Sequence, residues 1–302
     1  LLKYIDFAAL ASTQELFYDM NIQQSSKSQT TVWVISQNQV HSRLDYVTTE
    51  EPLEIRLVNQ NLTIAVTMRT PGADFALAAG FLYSEGVVNC REDIDQISYC
   101  IEGEKRDNIL NVELRSQLVP DLQPLERHFY TNSACGVCGK TSLESLRLRG
   151  YPTMAPTPLV TPDIIYSLPH QLRGSQNIFK STGGLHAAAI FDPGGQLINS
   201  QEDVGRHNAL DKLIGSALLA NQLPLSNHIL MVSGRSSFEI LQKSTAAGIP
   251  IVCSVSAPST LAISIAQEFG ITLIGFLREK QFNIYSGKER IIVSGNSMEI
   301  TR

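Results

Sequence analysis

Four apolar runs in the second half of the chain, residues 185–191, 229–232, 249–253 and 271–276, are each too short for a helix and too apolar for a solvated surface. Longer stretches with helical spacing separate them, at 206–219, 237–247 and 259–269. Short buried strands alternating with helices predict a layered α/β sheet, the arrangement that covers both faces of such strands. In an open sheet of this kind a ligand crevice lies beyond the carboxyl ends of the strands. Polar, glycine- or proline-containing segments follow the strands here: Glu202-Asp203-Val204-Gly205-Arg206-His207-Asn208, Ser233-Gly234-Arg235-Ser236-Ser237 and Ser254-Val255-Ser256-Ala257-Pro258-Ser259. They are expected to converge on one pocket.

The first half has another rhythm. Behind an N-terminal arm and a polar stretch ending at Gln29, Val32, Val34 and Val40, then Leu53, Ile55 and Leu57, then Leu62, Ile64, Val66 and Met68 read as strands, with a turn at Asn59-Gln60-Asn61. Thr70-Pro71 reads as a helix cap with proline at the first helical position, and Phe75, Leu77, Ala78, Phe81 and Leu82 form an apolar face that stops at Gly86. Strands over 94–100 and 108–114 complete an α+β domain, punctuated by Pro120 and Pro124. The expected division is an arm and linker over 1–30, an α+β sheet-and-helix domain over 31–125, and a cysteine-motif connector with the layered α/β domain over 126–302.

Composition narrows the function. With 302 residues, 24 basic and 29 acidic side chains and a net charge of −5, the chain is not built for wholesale nucleic-acid or anionic-membrane binding. No apolar run approaches the roughly 20 residues of a membrane span, and no signal segment opens the sequence, so a soluble intracellular protein is expected. Five cysteines, at 90, 100, 135, 138 and 253, do not form a disulfide framework and fit a reducing compartment.

The chemistry concentrates in Ser133-Ala134-Cys135-Gly136-Val137-Cys138-Gly139-Lys140. Two thiols separated by two residues can close a disulfide, hold a soft metal, or let one sulfur carry a labile atom while the other helps release it. Lys140 and the start of a helix expected over 141–149 both favour a thiolate, the nucleophilic form. A closed zinc site needs two further ligands at recognisable spacing, and no second cysteine pair exists, so no resident metal is expected. Zinc deaminases carry His-x-Glu ahead of their cysteine pair; here His186 comes after it and Ala188 stands where the proton-shuttling glutamate belongs. His186 by itself reads as a packed, hydrogen-bonded residue.

Arg206, His207, Arg235 and Arg278 fall in or beside the post-strand segments, where guanidinium groups and helix-start amides together suit phosphate. Ser233, Gly234 and Arg235 form the best single stretch, which lacks the spaced glycines and lysine of a P-loop. Glu202 and Asp203 can serve as an acid, a ribose contact or helix-start charge, and Glu239 as the same or as a partner of Lys243. Cys90, Cys100 and Cys253 are expected to be buried.

Cys135-Gly136-Val137-Cys138-Gly139, Gly183-Gly184-Leu185-His186-Ala187-Ala188, the block from Glu202 through Gly205-Arg206-His207-Asn208 to Ala209-Leu210-Asp211-Lys212, Ser233-Gly234-Arg235-Ser236-Ser237, Ser256-Ala257-Pro258 and Gly275-Phe276-Leu277-Arg278 occur in this order. Together with Met68-Arg69-Thr70-Pro71 and Gly80-Phe81-Leu82 they closely resemble the FdhD family of formate dehydrogenase accessory sulfurtransferases, from about residue 52 to 285. The resemblance implies a cytidine-deaminase-like fold for the second domain, a cytoplasmic homodimer, and a sulfur carrier. Such a carrier takes persulfide sulfur from a cysteine desulfurase and passes it to the bis-molybdopterin guanine dinucleotide cofactor of molybdenum before its insertion into formate dehydrogenase. It implies Cys135 as persulfide carrier with Cys138 beside it, and a cofactor-contact segment at Phe276, Leu277, Arg278, Glu279, Lys280 and Gln281. Thiol-disulfide exchange, and cofactor binding in which the cysteines are incidental, remain the alternatives.

Overall fold

The computed structural model describes residues 25–100, 106–115 and 139–293. By internal packing the chain divides into two units, and the division does not follow chain order. Of the described residues, 25–100, 106–115, 178–185 and 203–222 make the first unit, and 139–177, 186–202 and 223–293 the second.

The first unit opens with an antiparallel hairpin, β1 (Lys27–Ser36) and β2 (Gln39–Thr48), turned by Gln37 and Asn38 at positive φ. A four-stranded sheet follows, built from β3 (Glu51–Leu57), β4 (Leu62–Arg69), β5 (Ile94–Tyr99) and β6 (Ile109–Leu114) in the order β4-β3-β6-β5. Its strands alternate as the sequence predicts. Leu53, Ile55 and Leu57 on β3 and Leu110, Val112 and Leu114 on β6 are buried, with polar residues between them. The predicted turn at 59–61 is present, with Asn61 left-handed.

Helix α1 (Asp74–Ser84) starts later than the sequence suggests. Thr70 is not its cap; the residue before the helix is Ala73, left-handed at φ 54°, and the Asp74 carboxylate accepts from Gly72 N at 3.2 Å. A second correction concerns α5 (Arg206–Leu219), read from sequence as part of the second domain. It packs in the first unit against α1, and the crossing is so close that backbones touch. A Cβ placed on Gly80 would stand 1.9 Å from the Asp211 carbonyl, and one on Gly215 1.8 Å from that of Ala76. Only glycine permits this contact.

The second unit is the layered α/β sheet. Strands β7 (His186–Phe191), β8 (Leu197–Asp203, whose last residue belongs to the first unit), β9 (Ile229–Val232), β10 (Ile251–Ser254), β11 (Thr272–Arg278) and β12 (Gln281–Ser286) run in the order β12-β11-β10-β9-β7-β8. β9, β10 and β11 are parallel; β7 and β12 are antiparallel to their neighbours β9 and β11. Helix α3 (Pro162–Ser175) buries Ile165, Leu168 and Leu172 in one core with Ala187, Ala189, Phe191, Met231, Cys253 and Ile274. Helices α6 (Phe238–Ala246) and α7 (Thr260–Glu268) pack on each other, and α7 meets β11 and β12. Helix α2 (Gly139–Leu148), directly after the cysteine motif, is tied to α7 through Arg147, whose Nη2 donates to Glu268 at 3.0 Å. Short α4 (Asn177–Thr182) leads into β7. The expected mixed architecture, an α+β unit and a layered α/β unit, is therefore present. Among the described residues no helix is long and apolar enough to cross a membrane.

Candidate functional site

At the carboxyl ends of the parallel strands two of the three predicted loops, 233–237 and 254–259, come together, whereas the third, at 202–208, falls in the first unit from Asp203 onward. Ser236, after β9, pairs as a parallel bridge with Pro258, after β10, and Ser259 N donates to the Ser236 carbonyl at 3.0 Å. The third strand end joins through Phe276 N, which donates to the Ser256 carbonyl at 3.2 Å, and through Arg278, whose Nη1 donates to the Val255 carbonyl at 2.7 Å. Phe276 takes a left-handed φ of 51°, and the pairing of β11 with β12 shifts register between Gly275 and Arg278. Such a bulge re-aims the backbone at a sheet end. Gly275 fits because a Cβ there would lie 3.0 Å from both Pro258 and Tyr285.

Ser233 fastens the cluster to the neighbouring antiparallel strand. Its Oγ accepts from Ala187 N at 2.9 Å and lies 3.4 Å from Nδ1 of His186, while its own N–H donates to the Ala187 carbonyl at 2.9 Å. His186 thus stands at the loop cluster as a half-buried, hydrogen-bonded residue. The Ser236 side chain is fully buried and its hydroxyl has no hydrogen-bond partner among the described residues, an arrangement that normally leaves a donor for water or ligand. Sequence reading had no signal for this, because Ser236 differs from its neighbouring serines only in burial.

The predicted anion contacts divide. Arg235, Phe276, Arg278, Glu279, Lys280 and Gln281 are exposed at the loop cluster or on the hairpin beyond it. Glu279 and Lys280 are the two-residue turn between β11 and β12, since Arg278 pairs with Gln281. Leu277 is a correction: its side chain is 1% exposed within the hydrophobic core, so only its backbone can face a ligand. Arg206 and His207 open α5 in the first unit, where the Arg206 Nε is buried without a hydrogen-bond partner among the described residues.

The block from Glu202 to Lys212 owes much of its pattern to structure. Asp203, fully buried, accepts from Lys212 Nζ at 2.7 Å, Thr70 N at 3.1 Å, Gly205 N at 2.8 Å and Asn208 Nδ2 at 3.1 Å. Lys212 also donates to the Thr70 carbonyl at 2.8 Å, Asn208 to that of Met68 at 2.8 Å, and the Thr70 hydroxyl accepts from Val204 N at 3.2 Å. Asp203 therefore holds the start of α5 to the end of β4 and is closed to any ribose or proton-transfer role. A second buried pair stands nearby in the same unit, Arg69 donating to Asp74 at 2.8 Å, with the Tyr99 hydroxyl on the same carboxylate at 3.2 Å.

Cys135 and Cys138 lie outside the described residues. Of the other thiols, Cys253 is buried as expected, and desolvation pushes it far above the ordinary thiol range. Cys100 is half-buried, and Cys90 is exposed, against expectation, because it sits at the start of a short 3-10 turn rather than in the sheet. No group of three or more His, Cys, Asp or Glu among the described residues is placed to hold a metal ion.

An α+β unit and a layered α/β unit whose strand ends carry a serine- and arginine-bearing loop cluster define a two-unit protein of mixed α/β class. The model of the FdhD/NarQ family matches residues 48–292, and the chain belongs to that family. A sulfur carrier protein FdhD from Streptomyces coelicolor is 51% identical over 259 residues, spanning 83% of this chain and 91% of that protein. One from Sulfurisphaera tokodaii is 48% identical over 249 residues, spanning 82% and 92%. A crystal structure of a protein assigned as a formate dehydrogenase accessory protein from Desulfotalea psychrophila superposes with a TM-score of 0.70 at 25% identity, over 89% of this chain and all of that one.

Proposed function

We propose that this protein is a cytoplasmic sulfur carrier acting in the maturation of formate dehydrogenase. Cys135 receives sulfane sulfur from a cysteine desulfurase and delivers it to the bis-molybdopterin guanine dinucleotide cofactor, the acceptor substrate. The observation that carries the reading is the 51% identity, over nearly the full length of the relative, to a protein named as a sulfur carrier. The Cys135-Gly136-Val137-Cys138 motif lies inside the matched segment.

The sulfur balance follows from thiol chemistry. The Cys135 thiolate attacks the terminal sulfur of the donor's persulfide; a new S–S bond forms at Cys135, and the donor cysteine leaves as thiolate. To be released as sulfide, the sulfane sulfur must gain an electron pair. Attack by the Cys138 thiolate on the Cys135 sulfur supplies it, expelling hydrosulfide and leaving a Cys135–Cys138 disulfide that an external dithiol reduces before the next cycle. The acceptor's phosphates suit the exposed Arg235 and Arg278, and the Ser236 hydroxyl, without a partner among the described residues, supports a hydrogen-bonding ligand there.

The test is to incubate the protein with a cysteine desulfurase and cysteine, then map the added mass. One or more sulfur atoms on Cys135, and none in Cys135→Ala, is the expected result. Sulfur on another residue ends the proposal. Undiminished formate dehydrogenase maturation by a Cys135→Ala, Cys138→Ala double variant replaces it with a cofactor chaperone, and turnover of an ordinary disulfide without sulfur transfer replaces it with a thiol-disulfide oxidoreductase.

A further inference from the structure

Three serines of the loop cluster use their hydroxyls to build it. Ser233 Oγ accepts from Ala187 N at 2.9 Å, Ser254 Oγ donates to the Ser256 carbonyl at 2.8 Å, and Ser259 Oγ accepts from Ala262 N at 3.2 Å and so caps α7. Ser236 differs from all three. Its side chain is fully buried, and its hydroxyl has no hydrogen-bond partner among the described residues. A buried polar group left in that state costs free energy that alanine would avoid. A serine here is explained by a bound group that brings the missing partner.

The surroundings of Ser236 define the chemistry of that group. Ser236 immediately precedes Ser237, the cap residue of α6, and its carbonyl accepts from the N–H of Ser259, the cap residue of α7. It therefore stands between the starts of two helices of nine residues each, where partial positive charge and donor N–H groups collect. The start of α7 has its side-chain cap bond; α6 has none. Arg235 on one side and Glu239, the acid in the first turn of α6, are both exposed, so the buried hydroxyl lies between charges that face solvent. We infer that Ser236 donates its hydroxyl hydrogen to an anionic oxygen of a phosphoryl group bound at the start of α6, and so sets the preference of the site for phosphorylated over uncharged ligands. An exposed guanidinium such as that of Arg235 attracts any anion and is screened by salt. A buried hydroxyl admits only a ligand that presents an acceptor to it, which makes Ser236 the discriminating contact. That the phosphoryl group belongs to a guanine nucleotide rests on the sulfur-carrier reading; the contact itself does not.

Calorimetric titration with GDP, guanosine and inorganic pyrophosphate, beside thermal melts of the ligand-free protein, tests this. Ser236→Ala is expected to melt at or above the temperature of the unmodified chain, because it removes a buried group that lacks a partner. It is expected to bind GDP and pyrophosphate about 10- to 100-fold more weakly and guanosine unchanged. Its loss persists between about 0.05 and 0.5 M salt, whereas the loss in Arg235→Ala shrinks as salt rises. A Ser236→Ala protein that melts several degrees lower overturns the inference, since the hydroxyl then has a partner within the chain. So does unchanged affinity for GDP and pyrophosphate, or an equal weakening of guanosine, which would put the hydroxyl on the base. An unmodified chain that binds neither GDP nor pyrophosphate overturns it as well. If pyrophosphate shows the Ser236 dependence and GDP binds no more tightly than pyrophosphate, the phosphoryl contact stands and the guanine-nucleotide acceptor falls.

Discussion

Lys212 reaches Asp203 at 2.7 Å and the Thr70 carbonyl at 2.8 Å, with both charged side chains closed to solvent. The lysine therefore fixes α5 to the strand end of β4 across more than a hundred residues of sequence. Replacing it by methionine leaves the Asp203 carboxylate buried without its counter-charge, which costs about 3–5 kcal/mol. Urea unfolding of Lys212→Met is expected to show a midpoint lowered accordingly. A midpoint within error of the unmodified chain would mean the pair does not hold the helix.

Two glycine substitutions separate close backbone contact from helix propensity. Gly215→Ala drives a methyl group into the Ala76 carbonyl and is expected to cost about 3 kcal/mol. Gly174→Ala, in α3 with open space around its Cβ position, is expected to be neutral or to stabilise by about 0.5 kcal/mol. Thermal melts of the two variants check the contrast.

Arg235 and Leu277 stand at the ends of β9 and β11, with β10 between them, but should fail differently. Arg235→Ala removes an exposed guanidinium and is expected to weaken binding of a guanine nucleotide about 10-fold, or about 1.4 kcal/mol, with an unchanged melting curve. Leu277→Ala empties part of the core and is expected to lower stability by about 2–5 kcal/mol. Calorimetric titration beside urea unfolding distinguishes the two.

Burial raises the Cys253 thiol far above its ordinary range. The folded chain keeps that proton when the unfolded chain has lost it. Stability from this group is thus whole below the unfolded thiol's value, roughly pH 8.5, and falls as pH rises beyond it. In the native protein iodoacetamide is expected to label exposed Cys90 at pH 8 and leave Cys253 untouched until denaturant is added. Mass mapping of the alkylated peptides decides this.

Alternation on β3 and β6 and the short apolar runs of β7, β9, β10 and β11 were readable because each strand's environment is written in its own residues. The convergence of the loops at 233–237 and 255–259 followed from the parallel order of those strands. Strand β8 left no mark, since all but one of its residues are half-buried and no face alternates. Helix α3 was masked by Pro169, a residue that usually ends a helix, although Ile165, Leu168 and Leu172 keep helical spacing around it. Nothing local could tell that Gly80 and Gly215 fit each other, or that Asp203 faces Lys212 and not a ligand. Such facts reside in pairs of residues and appear only when the chain has folded. The placement of Leu277 failed for a related reason: a motif names consecutive residues, but a strand sends alternate ones to opposite sides.

Helix α5 has a consequence for how the molecule is made. The unit that begins at the hairpin cannot close its core until a helix ending at Leu219 has left the ribosome, by which time all of β7 and β8 already exist. A fragment cut near residue 125 lacks the piece that covers α1 and exposes Ala76, Leu77 and Gly80 to water. The two units are not modules that evolution or an engineer can separate by one cut; they are interlaced along the backbone, and biosynthesis must wait for the late strand of that weave.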